Sequence, residues 1–227
     1  MDYRQQIARR AALELEDGSV VNLGFGMPTA VANYIPDGVE VIMHAENGVL
    51  SYGSTPEFGC QDADVFNAGA QPVVLLPGAA IFDLPTSFGI IRGGHVDTVI
   101  IGSLEVDQKG NLANWARELA PGKYGPGMGG GMELVSQARK VVVMMQHTVK
   151  TGESKVLKEC SLPLTGKGVV NVIITEKAVF HVTPEGLVLK EIAPGLTVED
   201  LKAITDADFT VADDLCEYRL SSVGLSQ

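Results

Sequence analysis

By residue type and by place, the group best suited to chemistry is Glu46, in the run His44-Ala45-Glu46-Asn47-Gly48-Val49-Leu50-Ser51-Tyr52-Gly53. The apolar stretch Val39-Glu40-Val41-Ile42-Met43 precedes it and reads as a strand, and Asn47-Gly48 is a strong turn signal. A carboxylate is already ionised at neutral pH and needs no base. It is a competent nucleophile only toward an activated acyl or phosphoryl group or an anomeric carbon, and the product must be kept from water. A glutamate at the C-terminal edge of a strand stands where open α/β sheets gather their sites. By position alone two readings stay open, a nucleophile and a solvated loop residue, and most loop glutamates are the latter.

Two glycine-rich stretches are the next candidates. Asn22-Leu23-Gly24-Phe25-Gly26-Met27-Pro28-Thr29 reads as strand, tight turn and helix start, an arrangement that lets a ligand approach bare backbone. It lacks the third glycine and acidic partner of a dinucleotide fingerprint and the lysine of a P-loop, so a structural turn is the simpler reading. Gly125-Pro126-Gly127-Met128-Gly129-Gly130-Gly131-Met132-Glu133 precedes a helix-like run, Leu134 to Arg139. Gathered backbone N–H groups there would suit an oxyanion or a phosphate, and a plain surface loop is the alternative. In Ile91-Arg92-Gly93-Gly94-His95, Arg92 offers a carboxylate partner and His95 a base, although such groups more often satisfy neighbouring carbonyls or acids.

The elements that must position these groups follow from apolar patterning. Gln5 to Glu16 is periodic as a helix, with Ile7, Ala8, Ala11 and Leu15 on one face. Val20–Leu23, Val39–Met43, Val73–Leu76, Val96–Ile101, Val141–Met145 and Val169–Ile174 read as strands, and Thr29 to Tyr34 as a second helix. The strand runs are β-branched and nearly continuous, as expected where both faces are covered. Ala178–Val182 and Leu187–Ile192 read as a late hairpin around Thr183-Pro184-Glu185-Gly186, and Thr197 as the N-cap of a helix. These spacings predict a single α/β domain over residues 1–227: an open, mostly parallel sheet with helices on both faces.

With 227 residues the chain can bury a large core without staples, and its net charge of −11 argues against binding a phosphate backbone. Three separated cysteines and four scattered histidines carry neither disulfide nor metal-ligand spacing, so no metal site is expected. The N-terminal segment has no apolar core of a signal peptide, and no stretch is long enough to span a bilayer. A cytoplasmic protein that binds neither nucleic acid nor membrane is the expectation.

Taken in order, "NLGFGMPTAVANYIPDG", "ENG", "VFNAG", "VVLLPGAAIFD", "SFGIIRGGHVD", "NLANW", "PGK", "GMGGGMEL", "LPLTGK" and "ITEKAVF" cover nearly the whole chain, from about Ile7 to beyond Phe209. Together they resemble the B (β) subunit of bacterial 3-oxoacid CoA-transferases, which handle acetoacetate, butyrate and acetate. The resemblance implies a CoA-transferase fold and an A (α) subunit as partner in an A2B2 assembly. It implies no bound cofactor, a coenzyme A thioester as substrate, and Glu46 as the catalytic carboxylate. By motif position Gly130 would give a backbone N–H to the developing oxyanion. Asn22, Gly24, Gly26, Asn114, Gly127, Gly129 and Gly131 would lie along the coenzyme A site.

The chain departs from the family pattern Ser-Glu-Asn-Gly-x-Leu-Gly-x-Gly, with Ala45 for the serine and Ser51 for the first later glycine. His44 and Tyr52 are unusual beside the nucleophile. The link from Asn114-Trp115 to Pro121-Gly122-Lys123 is long, and Gly131 and Glu133 stand where Ala and Asp are common. The flanking residues bear on which acid is accepted. Three other readings remain: an acyl-CoA hydrolase using the same glutamate, a sugar-phosphate isomerase of related fold using it as a base, and a catalytically idle binding protein.

Overall fold

The structure, a computed structural model, describes residues 2–223. In chain order the strands are β1 (Val20–Leu23), β2 (Ile42–Ala45), β3 (Val49–Tyr52), β4 (Leu75–Ile81), β5 (Thr98–Gly102), β6 (Glu105–Asp107), β7 (Leu112–Ala113), β8 (Ala116–Ala120), β9 (Lys123–Pro126), β10 (Lys140–Met144), β11 (Val156–Leu157), β12 (Val172–Ile174), β13 (Ala178–Thr183), β14 (Gly186–Ile192) and β15 (Phe209–Glu217). The α-helices are α1 (Tyr3–Ala12), α2 (Leu84–Arg92), α3 (Gly131–Gln137) and α4 (Val198–Ala203), and Met27–Tyr34 is a 3₁₀ helix. None of these helices is long and apolar enough to cross a membrane.

Ten strands form one sheet in the order β15-β14-β13-β12-β10-β5-β1-β2-β3-β4. The middle, β12-β10-β5-β1-β2, is parallel throughout. Antiparallel hairpins flank it, β2-β3-β4 on one side and β12-β13-β14 on the other. The period of two in each strand divides the apolar residues between two layers. Val21, Met43, Ile100, Val142, Met144 and Ile174 pack with Ile7, Ala8 and Ala11 of α1. Val99, Ile101, Val141, Val143 and Ile173 face the other way, onto Ile91 of α2, Leu134 and Val135 of α3 and Leu201 of α4. The sheet is thus covered by helices on both faces, as the apolar pattern predicts.

Several boundaries differ from the sequence reading. Helix α1 stops at Ala12, short of Glu16, because Leu13, Glu14 and Leu15 close three-residue bonds to Arg10, Ala11 and Ala12. That tightening turns Glu14 toward Arg10 (2.8 Å) and Lys140 (2.7 Å). Buried Arg10 also forks onto Glu191 of β14 at 2.7 and 3.0 Å, tying the first helix to the far side of the sheet. The strand expected over Val39–Met43 lies at Ile42–Ala45, since pairing with β1 sets its register as Val20↔Ile42, Val21↔Met43 and Asn22↔His44. The strand expected at Val73–Leu76 runs from Leu75 to Ile81, and its Pro77 is tolerated because β4 is the edge of the sheet. The expected helix at Leu134–Arg139 spans Gly131–Gln137.

Candidate active site

The turn after β2 is a three-residue loop. His44 faces Leu50 and Ala45 faces Val49 across the hairpin, leaving Glu46, Asn47 and Gly48 at its tip. The N–H of Gly48 donates to the Ala45 carbonyl at 3.0 Å, and the N–H of Phe82 donates to the Gly48 carbonyl at 3.0 Å. Asn47 donates from Nδ2 to the Phe66 carbonyl at 2.8 Å. The tip is therefore pinned at three points, and Glu46 projects from a fixed backbone.

Parallel pairing puts Asn22 of β1 directly beside His44 of β2, and both side chains fall on the layer that faces α2. The Nδ2 of Asn22 lies 3.1 Å from Oε2 of Glu46, 3.1 Å from the His44 carbonyl and 3.2 Å from Nδ1 of His44. The other ring nitrogen, Nε2, lies 3.2 Å from Oγ of Ser87 on α2. Asn22, His44 and Ser87 are wholly buried. Burial pushes the His44 imidazole down to about 4, so the ring is neutral at physiological pH. Tyr52, buried on β3, is pushed up to about 12 by burial and then by the charge of Glu46, and stays a neutral phenol.

Glu46 opens into a cavity of about 600 Å³ whose wall is largely backbone. Gly24, Asn114, Gly127, Gly129, Gly130 and Gly131 line it with Glu46. The third glycine of this loop, Gly130, comes nearest to the carboxylate: a β-carbon there would lie 3.5 Å from Cγ of Glu46 and 3.1 Å from Cζ of Phe88. Two consecutive residues of α2 thus serve the site, Ser87 beneath His44 and Phe88 against the glycine loop. The N–H of Gly127 donates to the Trp115 carbonyl at 2.8 Å, which closes the β8–β9 hairpin and sets Asn114 beside the loop. Asn114 is itself held, donating to the Gly102 carbonyl at 3.1 Å and accepting from the Thr165 hydroxyl at 2.6 Å.

The structure does not gather every residue singled out above. Asn22 lies under Glu46 and is not part of the cavity wall, and Gly26 is also outside it. Arg92 pairs with Glu133 at 3.0 Å near the surface, His95 is exposed, and neither lines the cavity. Phe25, 82% exposed between the two glycines of the first motif, does line it, as do Ser103 and Leu104 beyond β5. Phe25 was legible as an apolar residue on a glycine turn. Ser87 carried no signal, because its role depends on α2 crossing β2 from 43 residues away. Among the described residues no group of three or more His, Cys, Asp or Glu is arranged to hold a metal.

The chain has relatives among known proteins. A sequence model of the family described as Coenzyme A transferase matches residues 4–203. The beta subunit of the acetate CoA-transferase of Haemophilus influenzae is 50% identical over 226 residues, 99% of each chain. The B-type subunit of the succinyl-CoA:3-ketoacid coenzyme A transferase of Helicobacter pylori is 49% identical over 208 residues, 92% of this chain and 99% of that one. Among solved structures, an acyl-CoA transferase from Escherichia coli O157:H7 superimposes with a TM-score of 0.74 at 24% identity. That alignment covers 96% of this chain but under half of the E. coli protein, 43%, and speaks to the fold alone. With a family match across most of its length and relatives half identical from end to end, the chain belongs to the coenzyme A transferase family.

Proposed function

We propose that this chain is the nucleophile-bearing beta subunit of an enzyme that moves coenzyme A from a short-chain or 3-oxo acyl-CoA to a second carboxylic acid. The observation that carries the reading is the carboxylate of Glu46, tethered at one oxygen and facing a cavity walled by glycine backbone. Glu46 attacks the thioester carbonyl, the C–S bond breaks, and an acyl-glutamyl anhydride forms with release of the coenzyme A thiolate. The thiolate then attacks the glutamyl carbonyl, the anhydride C–O bond breaks, and the first acid leaves as its carboxylate. A glutamyl-CoA thioester remains, and the second acid runs both steps in reverse. An activated acyl bond is kept throughout, so no ATP enters, and the kinetics are ping-pong.

The glycine loop bears on the tetrahedral intermediates, which place negative charge on the former carbonyl oxygen. Gly130 is the donor we assign there, and loss of one such donor typically costs about 3 kcal/mol of barrier. A side chain at Gly130 would crowd the Phe88 ring, which a β-carbon would meet at 3.1 Å, beside Glu46. An alpha subunit is the proposed partner, in an A2B2 assembly, because relatives about half identical to this chain are named as beta or B-type subunits. The exposed apolar edge strand beside the nucleophile hairpin, with Leu75, Leu76 and Ile81, agrees with that. The relatives' names, which speak of acetate and of 3-ketoacids, support a reading in which the acyl groups are small.

The test combines the chain with its alpha subunit and acyl-CoA, then traps with borohydride or hydroxylamine and maps peptides by mass spectrometry. Modification at Glu46 is expected, together with transfer of coenzyme A to an added acid. Transfer activity surviving in Glu46→Ala, with no modified Glu46, would sink the mechanism.

A further inference from the structure

We propose that His44, fixed as its Nε2–H tautomer against Ser87, is a positioning residue that keeps the Asn22 amide turned toward Glu46. The inference rests on the reading of Glu46 as the nucleophile, and extends it to a residue that departs from the usual pattern next to that glutamate.

The argument is one of donors and acceptors. The Asn22 position 3.1–3.2 Å from Glu46 Oε2, the His44 carbonyl and His44 Nδ1 is met by two acceptor oxygens and one ring nitrogen. An amide oxygen at that position would face two oxygens of like character, one of them charged, so the NH2 must occupy it. With the NH2 there, Nδ1 of His44 can only accept, and the ring proton belongs on Nε2, where it donates to Ser87 Oγ at 3.2 Å. The opposite tautomer would set an N–H against an N–H inside a dry layer. It would push the amide nitrogen away from Nδ1 and pull its donors out of line with Glu46 Oε2 and the His44 carbonyl.

The surroundings keep the ring in this one state. Phe82 stacks on it with centroids 6.4 Å apart and an interplanar angle of 19°. His44 and Ser87 are wholly buried, so water does not compete for either ring nitrogen. The cost of the arrangement is visible at Oδ1 of Asn22, which is buried and has no hydrogen-bond partner. An amide oxygen left unpaired in the core is a costly orientation, and the pull of Glu46 on the NH2 explains why it is adopted. Holding Oε2 leaves the other carboxylate oxygen free to attack along one line, and orientation of this kind is worth large factors in rate.

The experiment compares His44→Gln, His44→Leu and Ser87→Ala in the complex with the alpha subunit. It measures kcat, KM for acyl-CoA, the melting temperature and the ¹⁵N shifts of the His44 ring. A glutamine offers an acceptor to Asn22 and a donor to Ser87, so His44→Gln is expected to keep kcat within about threefold. His44→Leu is expected to lower kcat about tenfold or more, with KM changed less than about twofold. The wild-type ring should show a protonated Nε2 and a bare Nδ1, and Ser87→Ala should lower kcat by a smaller factor. An Nδ1–H tautomer in the wild type would overturn the inference, as would a Leu variant with wild-type kcat or Gln and Leu variants that fall equally. If His44→Leu does not fold, the tautomer and the Gln and Ala variants decide. Failure to trap Glu46 in the wild type would strike the proposed mechanism instead, and the tautomer would still decide this inference.

Discussion

Gly48 sits so close to the carbonyl oxygen of Phe82 that a β-carbon on it would overlap that oxygen. Its φ of +116° lies where L side chains are strained, so two independent constraints demand glycine at the tip of the β2–β3 hairpin. The contact joins the hairpin to the chain entering α2, the helix that carries Ser87 and Phe88. Gly48→Ala is expected to destabilise the protein by about 3 kcal/mol or more, combining backbone strain with a clash against backbone that cannot move aside. Chemical denaturation checks the loss, and activity should fall further than stability because Glu46 is displaced.

Gly130 makes a milder demand on the same site. An added β-carbon meets the Phe88 ring at 3.1 Å and Glu46 Cγ at 3.5 Å, with no positive φ to oppose it. The ring edge can yield by a few tenths of an ångström, so Gly130→Ala should fold. The expected outcome is a kcat lowered about tenfold to a hundredfold at nearly unchanged melting temperature, since small displacements of reacting groups cost large factors. Steady-state kinetics beside a thermal melt separates the two quantities.

Ser51 has φ +61°, one of two non-glycine residues with positive φ among those described, at a register shift between β3 and β4. Glycine adopts that conformation without strain. A left-handed conformation costs an L-residue about 1–2 kcal/mol, and glycine returns part of that, net of its freer unfolded chain. Ser51→Gly is therefore expected to stabilise the fold by about 0.5–1 kcal/mol. Denaturant midpoints at constant slope provide the measurement.

Stability should also fall in mild acid before the carboxylates respond. His44 and His147 are both held near 4, against an ordinary value of 6.5, chiefly by burial, with Lys177 adding to the effect at His147. Between those two values the unfolded chain binds more protons than the folded one, so unfolding becomes easier as pH drops below 6.5. By about pH 5 each histidine accounts for about 2 kcal/mol of lost stability at about 1.4 kcal/mol per unit. Depressed carboxylates such as Glu14 and Glu191 add their losses only below their ordinary value of 4.5. Urea unfolding at about pH 7 and about pH 5 should show this difference, and His44→Gln should reduce it by about half.

Local patterning placed most of the sheet, because continuous β-branched runs fix where buried strands lie and their period of two assigns each residue to a layer, but it missed β3 and the largely exposed edge strand β15. It also marked Glu46 and both glycine stretches, since Asn-Gly and repeated glycine force turns wherever they occur. Boundaries such as Ile42–Ala45 and Leu75–Ile81 were decided by pairing with neighbours, which local pattern does not encode. Asn22 looked like part of a ligand-binding turn, and only the register with His44 turned it under Glu46. Ser87 and Phe88 gained their roles from α2 crossing behind β2, and Phe82 from β4 pairing with β3. Contacts between segments some forty residues apart arise from packing, and a linear pattern holds no record of which polar group will meet which once water is excluded.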